Sequence, residues 1–376
     1  MKRALCMFLS FLVFFSIISF KPGKCSAEAE EEILFMTLDD AIERALEHNF
    51  DIKLADLNVD RAREVMKYAW EAHNRQLIKT YQPVLQLYVS VPPDKDAFPL
   101  MMKSNRNWHI QRKQFEIRKD ALVLKVKRNY YDILTKQQEL LAMESALEEA
   151  EYRYNAVKAR RDAGMATDVQ LMSAKSALEK AKAEVEQKRA ELENSKKHFC
   201  EIIGLPIEAN VVLVDHLSLQ EIEIPSLRTA VTFATSREHN PYLWILKERY
   251  ELQRYIWTYT QPEEAGKIDR EKLYLKYKKE RLNIEEKMRS TYNNLMALEE
   301  VYKSAEEAFL TAKRAVEVAE IMRENGMATE GEVLKRKVEM QKALAALLKT
   351  ASAYELAKEK FLKPWLLAEN EAKKRS

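Results

Sequence analysis

The chain has 376 residues, 32% charged and 47% hydrophobic, with 62 basic residues against 59 acidic ones and only six Gly and ten Pro. That composition excludes a disordered or collagen-like chain, and so small a net charge leaves no electrostatic footprint for nucleic acid. It suits long helices, because each Gly or Pro costs a helix interior roughly 1 to 3 kcal/mol.

Met1, Lys2 and Arg3 form a basic start, Ala4 to Phe20 is apolar and uncharged, and Lys21-Pro22-Gly23-Lys24 breaks the run. Cys25-Ser26-Ala27 then places small residues before an acidic stretch, Glu28 to Glu32. This reads as a secretory signal peptide over residues 1–27, cleaved after Ala27. An uncleaved anchor is the alternative, since the apolar run approaches the roughly 20 residues that span a bilayer. Lys24 is a poor neighbour for a lipid-modified Cys25. Without residues 1–27 the balance is 58 basic to 59 acidic, and Cys200 is the single cysteine. An exported chain with one cysteine has no internal disulfide, so its stability must come from helix packing.

A first repeat is read over residues 28–206. Leu38-Asp39-Asp40-Ala41-Ile42 opens a short helix that breaks at Glu47-His48-Asn49, and a second helix runs from Asp51 to about Lys79. Val84 to Val91 alternates apolar with polar residues before stopping at Pro92-Pro93, and a weak return strand is expected through Asn107-Trp108-His109-Ile110. Between Pro99 and Gly164, and between Gly164 and Gly204, no Gly or Pro occurs. About sixty residues at about 1.5 Å each would reach roughly 90 Å, so such a helix cannot bury itself and must pair lengthwise.

Residues 207–225 read as a linker containing the apolar stretch Val211 to Val214. A second repeat over 226–376 begins with a short helix from Ser226-Leu227 that breaks at Glu238-His239-Asn240-Pro241. A further helix, Tyr242 to about Tyr255, precedes a short strand-like segment, Tyr255 to Thr260, ended by Gln261-Pro262. The last two helices are again free of breakers, between Gly266 and Gly326 and between Gly331 and Pro364.

The repeat has a measurable offset. Arg161-Asp162-Ala163-Gly164-Met165-Ala166-Thr167 corresponds to Arg323-Glu324-Asn325-Gly326-Met327-Ala328-Thr329, 162 positions later. On one side Ile133, Leu140, Leu147 and Tyr154 fall opposite Leu295, Tyr302, Phe309 and Val316. On the other, Leu171, Leu178, Val185, Leu192 and Phe199 fall opposite Val333, Met340, Leu347, Tyr354 and Phe361. Apolar positions stepping by seven are the seam of a left-handed coiled coil. Gly164 and Gly326 suit the left-handed conformation that ends a helix. Thr167 with Gln170, and Thr329 with Glu332, complete capping boxes for the next one. The fold class is therefore all-α: duplicated long antiparallel coiled-coil hairpins with at most a vestigial β-hairpin. Gly164, Met165, Ala166 and Thr167, and Gly326, Met327, Ala328 and Thr329, are the candidate docking tips.

Reaction chemistry is missing from the pattern. His48, His73, His109, His198, His216 and His239 have no metal-ligand spacing, and no phosphate loop, G-x-S-x-G or C-x-x-C occurs. His48 and His239 read as helix-break residues. The dense Glu and Lys of 145–195 read as a solvated face, and Cys200 as a buried small hydrophobe. No enzyme, cofactor or metal is expected.

A signal peptide, then Leu38/Ala41/Ala45/Asn49, then a long hairpin turning at G-x-x-T, all repeated at Leu227/Ala230/Ala234/Asn240-Pro241 and Gly326 to Thr329, resembles the TolC-like outer membrane efflux proteins. Ile202-Ile203-Gly204-Leu205-Pro206 at the hairpin end fits as well. The resemblance implies a homotrimer forming a helical tunnel across the periplasm. Its barrel in the outer membrane takes four strands from each copy. It also implies that the tips Gly164 to Thr167 and Gly326 to Thr329 face a periplasmic adaptor and an inner-membrane pump, exporting small molecules or polypeptides. The departure lies in the strands, which need about 9–11 residues each to span. The alternative is a barrel-less envelope protein of the same fold, acting as a scaffold or partner-binding module. A periplasmic adaptor fits less well, because it needs β-rich flanks around one hairpin.

Overall fold

The computed structural model describes residues 34–76, 80–82, 87–89, 97–215, 224–260 and 262–368. The expected signal peptide therefore lies outside the described residues, as do His216, most of the strand expected over Val84 to Val91, and the last eight residues. The described elements belong to one compact unit that begins at Ile33.

Each half starts with a short amphipathic helix and a second helix leading away from it. In the first half these are α1 (Leu38–His48) and α2 (Phe50–Gln76); in the second, α5 (Leu227–Thr235) and α6 (Pro241–Thr260). Asn49 and Asn240 stand at the two breaks as read. The Asn240 side chain is fully buried, donating to the Ala234 carbonyl at 2.8 Å and accepting from the Tyr242 and Leu243 amides. One side chain thus closes α5 and caps α6.

The long hairpins follow. α3 (Ala97–Asp162) turns into α4 (Asp168–Ile202), and α7 (Glu263–Glu324) turns into α8 (Glu330–Leu362), followed by a 3-10 turn at Pro364–Leu367. Their lateral order is α4, α3, α8, α7: α3 packs on α4 and α8, and α8 on α3 and α7. Within this row of four, α4 and α7 stand at the two ends, and α7 also packs on α5 and α6.

The seam positions sit where the period of seven places them. Ile133, Leu178, Val185, Leu192 and Phe199 are buried in the first copy, and Leu295, Val316, Val333, Tyr354 and Phe361 in the second. The burial collects into two cores at the ends of the hairpins away from the turns. Leu122, Val126, Ile133, Leu192 and Phe199 close on Ala41 and Ala45 of α1, while Ile284, Met288, Leu295, Tyr354 and Phe361 close on Ala230 and Ala234 of α5. The first five of each set are 162 positions apart, so the cores are two copies of one packing unit. Each holds an aromatic pair at the same offset, Tyr130 with Phe199 at 6.0 Å and Tyr292 with Phe361 at 6.2 Å between ring centroids.

Three local readings are corrected. Asn107 to Ile110 is helix rather than a return strand, because α3 begins at Ala97 with Pro99 in its first turn, where a missing N–H costs nothing. Tyr255 to Thr260 is also helix. Aromatic and β-branched residues lose only about 0.7 kcal/mol each in a helix, and a helix already nucleated at Asn240 gains a hydrogen bond per residue until Pro262. Third, the linker is not featureless. Val211–Leu213 (β4) pairs in parallel with Leu34–Met36 (β1), a strand that the sequence pattern did not reveal. The Asp215 carboxylate fastens this pair, accepting from the Leu38 amide at 2.6 Å and the Tyr130 hydroxyl at 3.0 Å.

The remaining β structure is the antiparallel pair Thr80–Gln82 (β2) with Leu87–Val89 (β3), between α2 and α3. Among the described residues no helix is long and apolar enough to cross a membrane.

Candidate docking site at the hairpin tips

Both tips are Schellman turns. Gly164 has φ +75° and Gly326 φ +69°, and in each turn the following Met amide reaches back five residues, Met165 to Arg160 at 2.7 Å and Met327 to Met322 at 2.8 Å. A Cβ at either glycine would meet nothing within 4 Å, so the backbone angle alone selects glycine here. The capping boxes are present as read. Thr167 Oγ1 accepts from the Gln170 amide while Gln170 Oε1 accepts from the Thr167 amide, and Thr329 does the same with Glu332.

The eight tip residues form two separate turns with a shared surface chemistry. Met165 and Met327 are each 67% exposed, while Ala166 and Ala328 are half-buried. Sequence reasoning missed part of each tip. Arg161 pairs across the first turn with Asp168 at 3.0 Å, and Arg323 pairs across the second with Glu330. Those hydrogen bonds, first with Asp162 and then Asp168 for Arg161, and with Glu330 for Arg323, hold both guanidinium pKa values above the ordinary arginine range. The signal was available: an Arg three residues before the Gly and an acid four residues after it, in both copies. Exposed Val169 and Met172 extend the first apolar tip, and exposed Val318 and Ile321 the second. Each tip is thus a small exposed apolar end rimmed by fixed charges.

Among the described residues no group of three or more His, Cys, Asp or Glu could hold a metal ion. Cys200 is buried, its thiol pKa pushed up by burial. His109 lies against Trp108, its pKa pulled down by burial and by Arg112 and Arg106. Glu248 is buried between Arg106 and Arg237, and its two ion pairs tie α6 to α3 and to the α5–α6 turn. His109 and Glu248 thus share Arg106 as a neighbour, whereas Cys200 belongs to the first core.

Comparison with known proteins agrees with this architecture. Residues 103–204, which hold most of the first hairpin, match the family model described as outer membrane efflux protein. No curated protein matches the sequence. Among solved structures, the CmeC outer membrane channel of Campylobacter jejuni aligns with a TM-score of 0.69 at 14% identity, covering 89% of this chain and 88% of that one. The outer membrane protein VceC of Vibrio cholerae aligns at 0.62 and 13% identity, covering 86% and 95%. The MtrE outer membrane channel of Neisseria gonorrhoeae aligns at 0.59 and 13%, covering 88% of each. At such identities the likeness is one of fold: the described chain has the TolC-like helical fold over nearly its whole length.

Proposed function

We propose that this chain is one protomer of a TolC-like efflux duct. Three copies would form the helical wall, and the tips Gly164 to Thr167 and Gly326 to Thr329 would dock a periplasmic adaptor and, through it, an inner-membrane pump. The cargo would be small molecules or polypeptides, passed outward through the lumen without covalent chemistry. The observation that carries this reading is the duplicated hairpin with two like-built apolar tips, on a fold shared with outer membrane channels. Localisation follows as the cell envelope, with the outer membrane as the family's destination. The test is fractionation of the envelope with and without boiling before electrophoresis. A heat-modifiable oligomer in the outer-membrane fraction that conducts in planar bilayers is the expected result. A soluble monomer that neither inserts nor conducts would sink it.

One observation favours the barrel-less alternative. Only Gln261 and Pro262 separate α6 from α7, where two spanning strands and a turn would need about twenty residues. On that reading the protein oligomerises and docks partners yet conducts no ions, so bilayer conductance separates the two.

A further inference from the structure

The two tips differ in chemistry at the position before the turn glycine. Gly164 follows Ala163, whereas Gly326 follows Asn325. Of the six glycines in the sequence, Gly326 alone comes after an Asn or an Asp. That dipeptide carries a reaction of its own. The Asn325 side chain ends in an acyl carbon, Cγ, and the next backbone nitrogen can close a five-membered ring on it. Glycine leaves this nitrogen open to the approach, because it has no Cβ to crowd it. Asn325 and Gly326 are both exposed, so water reaches them. Ala163 is exposed too, but it has no acyl carbon to attack.

The folded turn opposes that reaction at each of its participants. Asn325 has ψ +7°, so the Gly326 nitrogen nearly eclipses the Asn325 nitrogen. The side chain then stands about a third of a turn away around the Cα–C bond, by the tetrahedral geometry of Cα. Ring closure needs the Gly326 nitrogen to swing round to the Cβ side. Its amide, which must lose its proton to attack, donates to the Arg323 carbonyl at 2.9 Å. The departing group is held as well, Asn325 Nδ2 donating to the Ile321 carbonyl at 2.8 Å. The bond from the Met327 amide to the Met322 carbonyl closes around all three, and the Arg323–Glu330 pair clasps the turn from outside.

We propose that Asn325 is a site of spontaneous deamidation in the second tip, and that the turn is the lock that sets its rate. The Gly326 nitrogen gives up its proton and bonds to Asn325 Cγ, the Cγ–Nδ2 bond breaks, and ammonia leaves with that proton. Water then opens the ring at one of its two carbonyls, giving aspartate or isoaspartate; no oxidant or reductant takes part. Either product undoes the tip that made it. Aspartate puts a carboxylate at the negative end of the α7 dipole, next to Glu324. Isoaspartate runs the backbone through Cβ and Cγ, adding one atom inside the ring that the Met327–Met322 bond closes. The first tip, with Ala163, keeps its turn. This chemistry stands whether or not the tips dock a partner.

The test incubates the full chain at mildly alkaline pH and follows its tryptic peptide 324–335 by mass spectrometry, beside a synthetic peptide of that sequence. The synthetic peptide is expected to convert about ten-fold faster or more, the factor that about 1.4 kcal/mol of local opening supplies. Thr329→Ala removes the capping threonine and is expected to speed the full chain about five-fold. Ala163→Asn is expected to bring the reaction to the first tip at the rate of Asn325 in the parent, because the two turns are built alike. A synthetic peptide that keeps its amide would overturn the site. A full chain that converts as fast as the peptide, or a Thr329→Ala chain no faster than the parent, would overturn the lock. An Ala163→Asn chain that stays unmodified at the first tip would also overturn it.

Discussion

At their tips the two hairpins are interchangeable: the same Schellman turn, the same capping box and the same ion pair recur 162 residues apart. At the opposite ends they are not. Twenty residues, 77–96, separate α2 from α3 and carry a strand pair, whereas two residues separate α6 from α7. The tips are held by rules that act within a few residues, and each copy satisfies them locally. The other ends are held by long-range packing, which tolerates any connection that leaves the cores intact. The comparison can be tested by breaking each kind of constraint.

The largest effect belongs to the cores. Phe199 is fully buried against Tyr130, and Phe199→Ala should cost about 3 to 5 kcal/mol by the cavity it leaves. Phe361→Ala should cost a similar amount in the second core. Urea unfolding followed by circular dichroism measures both, and a value near zero for either would mean that its core is not packed as described.

Next comes the glycine comparison. Gly204 has φ +72° like the tip glycines, but an added Cβ would lie 2.7 Å from the His48 Cβ. Gly204→Ala should therefore combine left-handed strain with a clash, about 2 to 4 kcal/mol. Gly164→Ala, with open space around it, should cost only the strain, about 1 to 2 kcal/mol. Equal costs would remove the distinction between local and packed turns.

The cores should also show alkaline sensitivity. Burial, with the Glu355 and Glu359 carboxylates nearby, pushes the Tyr131 phenol up to about 12, and burial with the Asp215 hydrogen bond raises Tyr130 as well. Both phenols hold their protons more tightly folded than unfolded. The stability they contribute is full below pH 10, the ordinary tyrosine value, and is lost as pH rises from there through about 12. The Tyr131 share is roughly 2 to 3 kcal/mol. A Tyr131→Phe variant should flatten the fall in melting temperature over that window.

These contrasts match what could be read in the sequence. The seams were legible because Ile133, Leu192 and Phe199 recur at seven and again at 162, and the tips because Gly, Thr and Gln or Glu sit at fixed offsets. The β1–β4 pair was not legible. Leu34–Met36 and Val211–Leu213 are three residues each, 177 apart, and are joined by backbone bonds that any side chains permit. Tyr255 to Thr260 misled because its aromatic residues favour strands locally, while the helix entering it was already nucleated.

The smallest effect concerns the charge difference between the two capping boxes. The first capping box is closed by neutral Gln170 and the second by Glu332, each reaching back to its threonine amide, at 3.0 and 2.8 Å. A carboxylate in the first turn of a helix also meets the positive end of the helix dipole, a gain of about 0.3 to 1 kcal/mol that salt screens. Gln170→Glu should therefore stabilise the first tip by that amount, and Glu332→Gln should weaken the second by as much. Both effects should shrink together in 1 M salt, where the screening length falls to about 3 Å. Amide exchange in the first turns of α4 and α8 reads the change where it occurs, below the resolution of global unfolding. If the two swaps were unequal, or insensitive to salt, the tips would differ in something beyond this side chain, and the claim that the copies are interchangeable there would fail.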